Sequence, residues 1–158
     1  MIFVSQPSGG HPPTAGFCNS MKRTGNFLTS LSLRGCNNSV SDKTIGIFCK
    51  NLTETNHIET LQFSRCSSLT DTSLDYICKY LYTGLKSLSI DNNRNYTDKK
   101  IAETITQFNS LTTINTAWTN CSDRSLASIA EQKNLLNLCL DGCRFDVSKL
   151  KPFKRTSD

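Results

Sequence analysis

The chain has 158 residues, enough for one domain, and only 37% of them are hydrophobic, which is lean for a compact globule. Its net charge of +5 arises from 18 Lys and Arg against 13 Asp and Glu, and no block of like charges indicates a nucleic-acid-binding tail. We therefore expect no nucleic-acid partner. No apolar stretch has the length of a signal peptide or a membrane span, so we expect no membrane partner either.

The chain begins with a segment of low apolar content. Residues 1–26 contain no repeated phrase, and the part from Ser5 to Pro13 is rich in Pro, Gly and polar residues. Such a composition has too little apolar surface to pack. We therefore expect residues 1–26 to form a flexible N-terminal arm, residues 27–153 the folded domain, and residues 154–158 a polar tail.

One apolar phrase occurs five times in the predicted domain. Its three anchor residues are Leu28, Leu31 and Leu33; Ile58, Leu61 and Phe63; Leu85, Leu88 and Ile90; Leu111, Ile114 and Thr116; and Leu135, Leu138 and Leu140. Successive starts lie 30, 27, 26 and 24 residues apart. A fixed phrase at this period is the signature of a leucine-rich-repeat solenoid.

A second phrase follows each of the first four. It is a Ser or Thr, then an Asp, then an apolar residue three positions later, as in Ser41-Asp42 and Ile45. Apolar residues at helical spacing come next, so we expect a helix that begins near the Asp, whose carboxylate accepts hydrogen bonds from free backbone N–H groups at the helix start. The repeating unit of strand, loop and helix predicts an open α/β solenoid of about five repeats, with a parallel sheet on its concave face.

Cysteines follow the same register. Cys36, Cys66 and Cys143 lie three residues after the third anchor, whereas Asn93 and Thr119 occupy that position in repeats three and four. Cysteines placed by a repeat are packing residues, so we expect thiols and a reducing compartment, the cytoplasm, with nucleus or cilium as alternatives. Asn93 can bond neighbouring backbone there, and repeat four, with Thr116 as an anchor, should have the weakest core.

Three of the phrases resemble the cysteine-containing leucine-rich repeat of F-box/LRR proteins and of the antagonist-of-mitotic-exit-network group. They are Leu28–Cys36, Ile58–Cys66 and Leu135–Cys143. The resemblance implies a non-catalytic recognition module similar to the substrate-binding arm of an SCF-type E3 ubiquitin ligase, with ligase subunits and a substrate protein as partners. Residues 1–26 are too short and too polar for an F-box, so two alternatives stay open: a scaffold subunit of an axonemal or other structural complex, and a cell-cycle regulator without F-box.

Alternate residues of each strand should face outward from the core and form the binding surface. The candidate residues on this concave face and its edge are Ser32, Arg34, Gln62, Arg65, Ser89, Asp91, Asn115, Trp118 and Asp141. The two arginines make one end basic, and the two aspartates make the other end more acidic. Trp118 has two interpretations: an exposed binding residue at the rim, or a core residue that fills space left by Thr116.

Nothing in the sequence indicates catalysis. The two histidines, His11 and His57, lie in the predicted arm and in a turn, and no C-x-x-C, H-E-x-x-H, P-loop or dinucleotide-binding motif occurs. We therefore expect no enzyme activity, no cofactor and no metal site.

Overall fold

The computed structural model describes residues 2–5, 28–36, 40–52, 57–81, 84–146 and 148. Within them, six strands form one parallel sheet in chain order: β1 (Ile2–Ser5), β2 (Ser30–Arg34), β3 (Thr60–Ser64), β4 (Ser87–Ser89), β5 (Thr113–Asn115) and β6 (Asn137–Cys139). Four helices follow β2 to β5 in turn: α1 (Asp42–Asn51), α2 (Asp71–Leu81), α3 (Asp98–Gln107) and α4 (Asp123–Ala130). This alternation confirms the predicted α/β solenoid.

The apolar anchors hold neighbouring strands in register. The second anchors pair across the sheet in the order Leu31, Leu61, Leu88, Ile114 and Leu138. The first four of these side chains are at most 1% exposed, because the next repeat covers each of them. Leu138 in the edge strand β6 is only partly buried. Stacking of equivalent apolar residues therefore forms one continuous core along the solenoid.

Strand β1 extends the sheet beyond the five predicted repeats. Ile2 pairs with Leu31, and Val4 pairs with Leu33, so their backbone takes the register of a further repeat. Sequence analysis assigned these residues to the arm because Ile2-x-Val4 is only a fragment of the anchor phrase. Residues 6–26 of the predicted arm, residues 149–153 of the predicted domain and the predicted tail 154–158 lie outside the described residues.

An aspartate begins each of the four helices. Asp123 accepts a hydrogen bond from the backbone nitrogen of Asp146 (3.0 Å). The carboxylates of the other three accept hydrogen bonds from the Ser or Thr of the next repeat, and not from the start of their own helix as expected. The donors are the backbone nitrogen and hydroxyl of Thr70 to Asp42 (2.9 and 2.6 Å), of Thr97 to Asp71 (2.8 and 2.6 Å) and of Ser122 to Asp98 (2.8 and 2.5 Å). We call this series the aspartate ladder.

A second series of hydrogen bonds lies inside the core, at the position three residues after the third anchor. Asn93 is fully buried; its Oδ1 accepts from the backbone nitrogen of Cys66 (2.7 Å), and its Nδ2 donates to the carbonyls of Ile90 (2.9 Å) and Phe63. This geometry confirms the expected role of Asn93. In repeat four, the Thr119 hydroxyl donates to the carbonyl oxygen of Thr116 (2.6 Å).

Four of the described cysteines lie in the core, whereas Cys78, Cys139 and Cys143 are partly buried. Cys36, Cys66 and Cys121 are fully buried, and so is Cys49 of α1. Burial raises the pKa of Cys66 and of Cys121 to about 11, and that of Cys49 to about 12. These thiols are therefore protonated at neutral pH and act as small apolar packing groups.

Asn93→Ala should weaken folding strongly, because it leaves a buried N–H group and two buried carbonyls without their partner. We expect a loss of about 2–4 kcal/mol in the free energy of unfolding, measured by urea denaturation. Asn109→Ala at an exposed position is the matched control, for which we expect a change within about 0.5 kcal/mol. Equal stability of the two variants would contradict a structural role for the Asn93 amide.

Asp98→Asn should remove an acid-sensitive part of the stability. Burial opposes ionisation of Asp98, but hydrogen bonds from Ser122 and Ser125 outweigh it and hold the pKa of Asp98 below its ordinary value. The charged carboxylate therefore stabilises the fold above the unfolded-state pKa of about 3.9, and this contribution is lost as the pH falls through the lower pKa of the folded state.

The measurement is the unfolding free energy of the intact chain and of Asp98→Asn between pH 7 and pH 2. We expect the variant to be less stable by about 1–3 kcal/mol at neutral pH and the difference to shrink in acid. Asp141→Asn, at an exposed carboxylate, should show no such trend. A difference that does not depend on pH would contradict this account.

Candidate protein-binding face

The inner wall of the sheet carries small polar side chains, and several are less accessible than expected. Ser32 is 9% exposed and Ser89 is 8% exposed, so both are much less accessible than the candidate surface predicted, whereas Gln62 and Asn115 are half-buried. Gln62 pairs in register with both serines. A short serine between longer neighbours is screened from solvent, an effect that alternation within one strand does not reveal.

Beyond the wall, each strand from β2 to β6 ends in a left-handed turn, and these turns form the rim of the solenoid. The turn residues are Gly35, Arg65, Asn92, Trp118 and Gly142, with φ between 55° and 67°. The first four donate their backbone N–H to a carbonyl of the next repeat, from Gly35 to Ser64 (2.9 Å), Arg65 to Asp91 (3.1 Å), Asn92 to Ala117 (2.8 Å) and Trp118 to Asp141 (2.7 Å). Backbone hydrogen bonds therefore fix the conformation of the rim, and they fix the positions of the Cα atoms that carry its side chains.

Asp91 lies at the centre of the rim, and its carboxylate is fully engaged. Its Oδ1 accepts from the hydroxyls of Ser64 (2.6 Å) and Ser89 (2.7 Å), and its Oδ2 accepts from Nδ2 of Asn92 (2.9 Å). Burial opposes its ionisation, but these hydrogen bonds prevail and hold the pKa of Asp91 below its ordinary value. The carboxylate thus stays charged, and its hydrogen bonds hold Ser64, Ser89 and Asn92 in place at the rim.

Unlike Asp91, the two arginines at the basic end of the rim are not engaged by charged groups of the described chain. Arg34 and Arg65 are exposed, and within the described part of the chain neither has a carboxylate within ion-pair distance. Where ion pairs are formed, they involve Lys86, Lys99 and Lys100 with Glu59, Asp75 and Glu103. The arginine charges consequently remain available to an external anion, and the Asp141 carboxylate is exposed at the other end.

Trp118 is the largest apolar group on the rim. Its side chain is 50% exposed, whereas Thr116 is 1% exposed and fills the third anchor position itself. The indole lies over Gly142: a Cβ atom at that residue would come within 2.5 Å of ring carbons Cδ2 and Cε3. These observations favour the rim interpretation of Trp118 over the core interpretation.

The structure thus brings Arg34, Arg65, Asp91, Trp118 and Asp141 together along one rim, with Gln62 and Asn115 on the adjoining wall. The hydrogen bonds that Ser64 and Asn92 donate to Asp91 were not predicted, because the alternation along a strand does not show which side chains meet at the rim. Among the residues that the structure describes, no three His, Cys, Asp or Glu side chains converge as a metal site would require. No described helix is long and apolar enough to cross a bilayer.

Strand, left-handed turn, loop and capped helix, stacked with their anchors in register, define a leucine-rich-repeat type of solenoid. Solved structures agree in fold. The tropomodulin C-terminal domain of Caenorhabditis elegans has a TM-score of 0.63 at 16% identity, with 80% of this chain and 81% of that chain covered. Yeast Rad7 in its complex with Elc1 has a TM-score of 0.68 at 19% identity, with 79% and 31% covered.

A third similar structure is actin-binding site 2 of leiomodin-1, with a TM-score of 0.62 at 18% identity and coverage of 83% of this chain and 79% of that chain. No protein-family model matches the chain, and no curated protein matches it in sequence. At these identities the likeness shows the fold alone, which is of the leucine-rich-repeat type.

Gly142→Ala should displace the indole of Trp118. The new methyl group meets the ring, and alanine at φ +67° is strained. Because Trp118 is the only tryptophan, a shift in its emission and faster quenching by acrylamide report its movement directly. We also expect a loss of about 1–3 kcal/mol in unfolding free energy.

Gly35→Ala is a matched control for that experiment. Gly35 has almost the same backbone angle, φ +66°, and no atom lies within 4 Å of the Cβ position. It should lose about 1 kcal/mol of stability through the backbone alone, with unchanged tryptophan fluorescence. If both variants left the fluorescence unchanged, the contact between Trp118 and Gly142 would be disproved.

Proposed function

We propose that this chain is a non-catalytic protein-recognition module that binds its partner through the rim and the adjoining inner wall. The observation that carries the proposal is the half-exposed Trp118 on the same rim as Arg34 and Arg65, which lack ion-pair partners among the described residues. Trp and Arg are enriched among the residues that dominate binding energy at protein interfaces. Solenoids of this type use such extended surfaces for binding.

The finer form of the proposal is the substrate-binding arm of an SCF-type ubiquitin ligase. Two things support it: the cysteine-containing repeats, and the similarity in fold to Rad7, a protein solved in complex with Elc1. The partners would be ligase subunits and a substrate protein. We also propose a reducing compartment, because the repeat cysteines Cys36 and Cys66 are buried packing residues.

The second candidate is a structural scaffold without a role in ubiquitin transfer. The tropomodulin and leiomodin-1 domains match this chain over 81% and 79% of their own length, whereas only 31% of Rad7 is matched. The leiomodin-1 domain is an actin-binding site, so a cytoskeletal partner such as actin is the most direct form of this alternative.

The test is affinity capture from native lysate, compared between the intact chain and a rim variant that combines Arg65→Asn and Trp118→Asn. Asparagine suits the left-handed backbone at both positions, as Asn92 does in the same series of turns. A control variant combines Lys43→Gln and Leu136→Gln, at exposed residues away from the rim. Bound proteins are identified by mass spectrometry, and purified actin filaments are tested separately by co-sedimentation.

We expect at least about a tenfold loss of the partner with the rim variant and no loss with the control. Cullin and its adaptor in the captured set would favour the ligase arm, and co-sedimentation with actin would favour the scaffold. Equal capture by the intact chain and the rim variant would rule out the rim as the binding surface.

A further inference from the structure

The left-handed turns at the rim hold two residues that the backbone does not favour. Glycine occupies this position in Gly35 and Gly142, and asparagine tolerates it in Asn92. Arg65 and Trp118, with φ of 55° and 58°, adopt a conformation that is uncommon for side chains of their size. Such strain persists where a side chain is needed at that point, and it is an indication of function when seen at an exposed position.

The chemistry of the two strained positions differs along the rim. Arg65 carries a positive charge next to Arg34, and the nearby Asp91 carboxylate already accepts three hydrogen bonds from Ser64, Ser89 and Asn92. Asp91 stays charged, but its one negative charge is outweighed by the two arginines, so this end of the rim carries a net positive charge that favours a carboxylate. Trp118 provides an exposed aromatic surface, and its backbone N–H is bonded to the carbonyl of Asp141, whose side chain adds a negative charge beyond it.

The spacing of these groups follows from the sheet. Adjacent strands lie about 4.8 Å apart, so Arg65 and Trp118, two repeats apart, are separated by about 10 Å along the rim. An extended peptide rises about 3.3 Å per residue, so about three residues span that distance. One further repeat separates Trp118 from Asp141, which corresponds to one or two more residues of an extended chain.

From these observations we infer that the rim binds an extended peptide segment in which an acidic residue, an apolar residue about three positions away and a basic residue beyond it are read in order. The carboxylate pairs with Arg34 and Arg65, the apolar side chain packs on the indole of Trp118, and the basic side chain faces Asp141. The inference rests on the proposed function and specifies the partner. Complementary charge at both ends fixes the register of the segment on the rim.

Fluorescein-labelled peptides in a Gly and Ser background test the inference by fluorescence anisotropy. One peptide carries two glutamates, a leucine about three residues later and a lysine beyond it, and a second carries the reversed order, since an extended chain can lie in either direction. A third replaces both glutamates by lysine, so that it has no acidic residue for the arginines in either direction. A fourth replaces the leucine by serine.

We expect one of the first two peptides to bind and the third and fourth to bind at least about tenfold more weakly. Trp118→Asn should weaken the binding peptide by at least about tenfold and Arg65→Asn by about threefold to tenfold, while Lys43→Gln and Leu136→Gln have no effect. High salt should weaken the contribution of Arg65 but not that of Trp118.

The thermal midpoint of each variant is recorded alongside. Asparagine relieves the left-handed strain, so we expect no lower midpoint. A loss of binding at an unchanged midpoint then cannot arise from unfolding. Equal binding of the all-lysine peptide, or binding that survives both rim substitutions, would overturn the inference. So would the failure of both ordered peptides to bind. If a protein partner is nevertheless captured through the rim, the recognition module stands and only the proposed segment is wrong.

Discussion

The aspartate ladder is the interaction on which the rest of this structure depends. Asp42, Asp71 and Asp98 each bind the Ser or Thr that precedes the next helix, as Asp98 binds Ser122. The apolar anchors provide the free energy of burial, but stacked leucines alone do not specify one spacing. Directional hydrogen bonds at one end of each repeat, with the buried Asn93 in the interior, fix how far and in which orientation each repeat lies from the next.

The hydrogen bonds within the chain determine which polar residues remain available for binding. The carboxylates of Asp42, Asp71, Asp91 and Asp98 all have hydrogen-bond donors from within the chain and hold the structure together. Among the described residues, Arg34 and Arg65 have no ion-pair partner, and the fixed rim holds them and the indole of Trp118 at defined positions. Preorganised groups of this kind bind without a large loss of conformational entropy.

The sequence was sufficient for most of the fold, because the anchors and the Ser/Thr-Asp pairs repeat with it. Leu61 and Leu88 predict their strands and their pairing, and Asn93 could be understood from the position that it shares with cysteines. What could not be predicted depends on neighbours far apart in the chain. The partner of Asp98 lies 24 residues away, and the low exposure of Ser32 depends on flanking strands. The short phrase at Ile2 gave too little pattern to identify β1.

Because each strand pairs only with its neighbours in the sequence, the solenoid behaves as a one-dimensional array of coupled units. Among the described residues, β6 pairs with β5 alone, so the repeat that contains β6 should open more readily than repeats paired on both sides. A ligand that lies across the rim from Arg65 to Asp141 would contact repeats two to five at once. The bound ligand would couple these repeats, so that units which otherwise open one by one would unfold together as a single cooperative block.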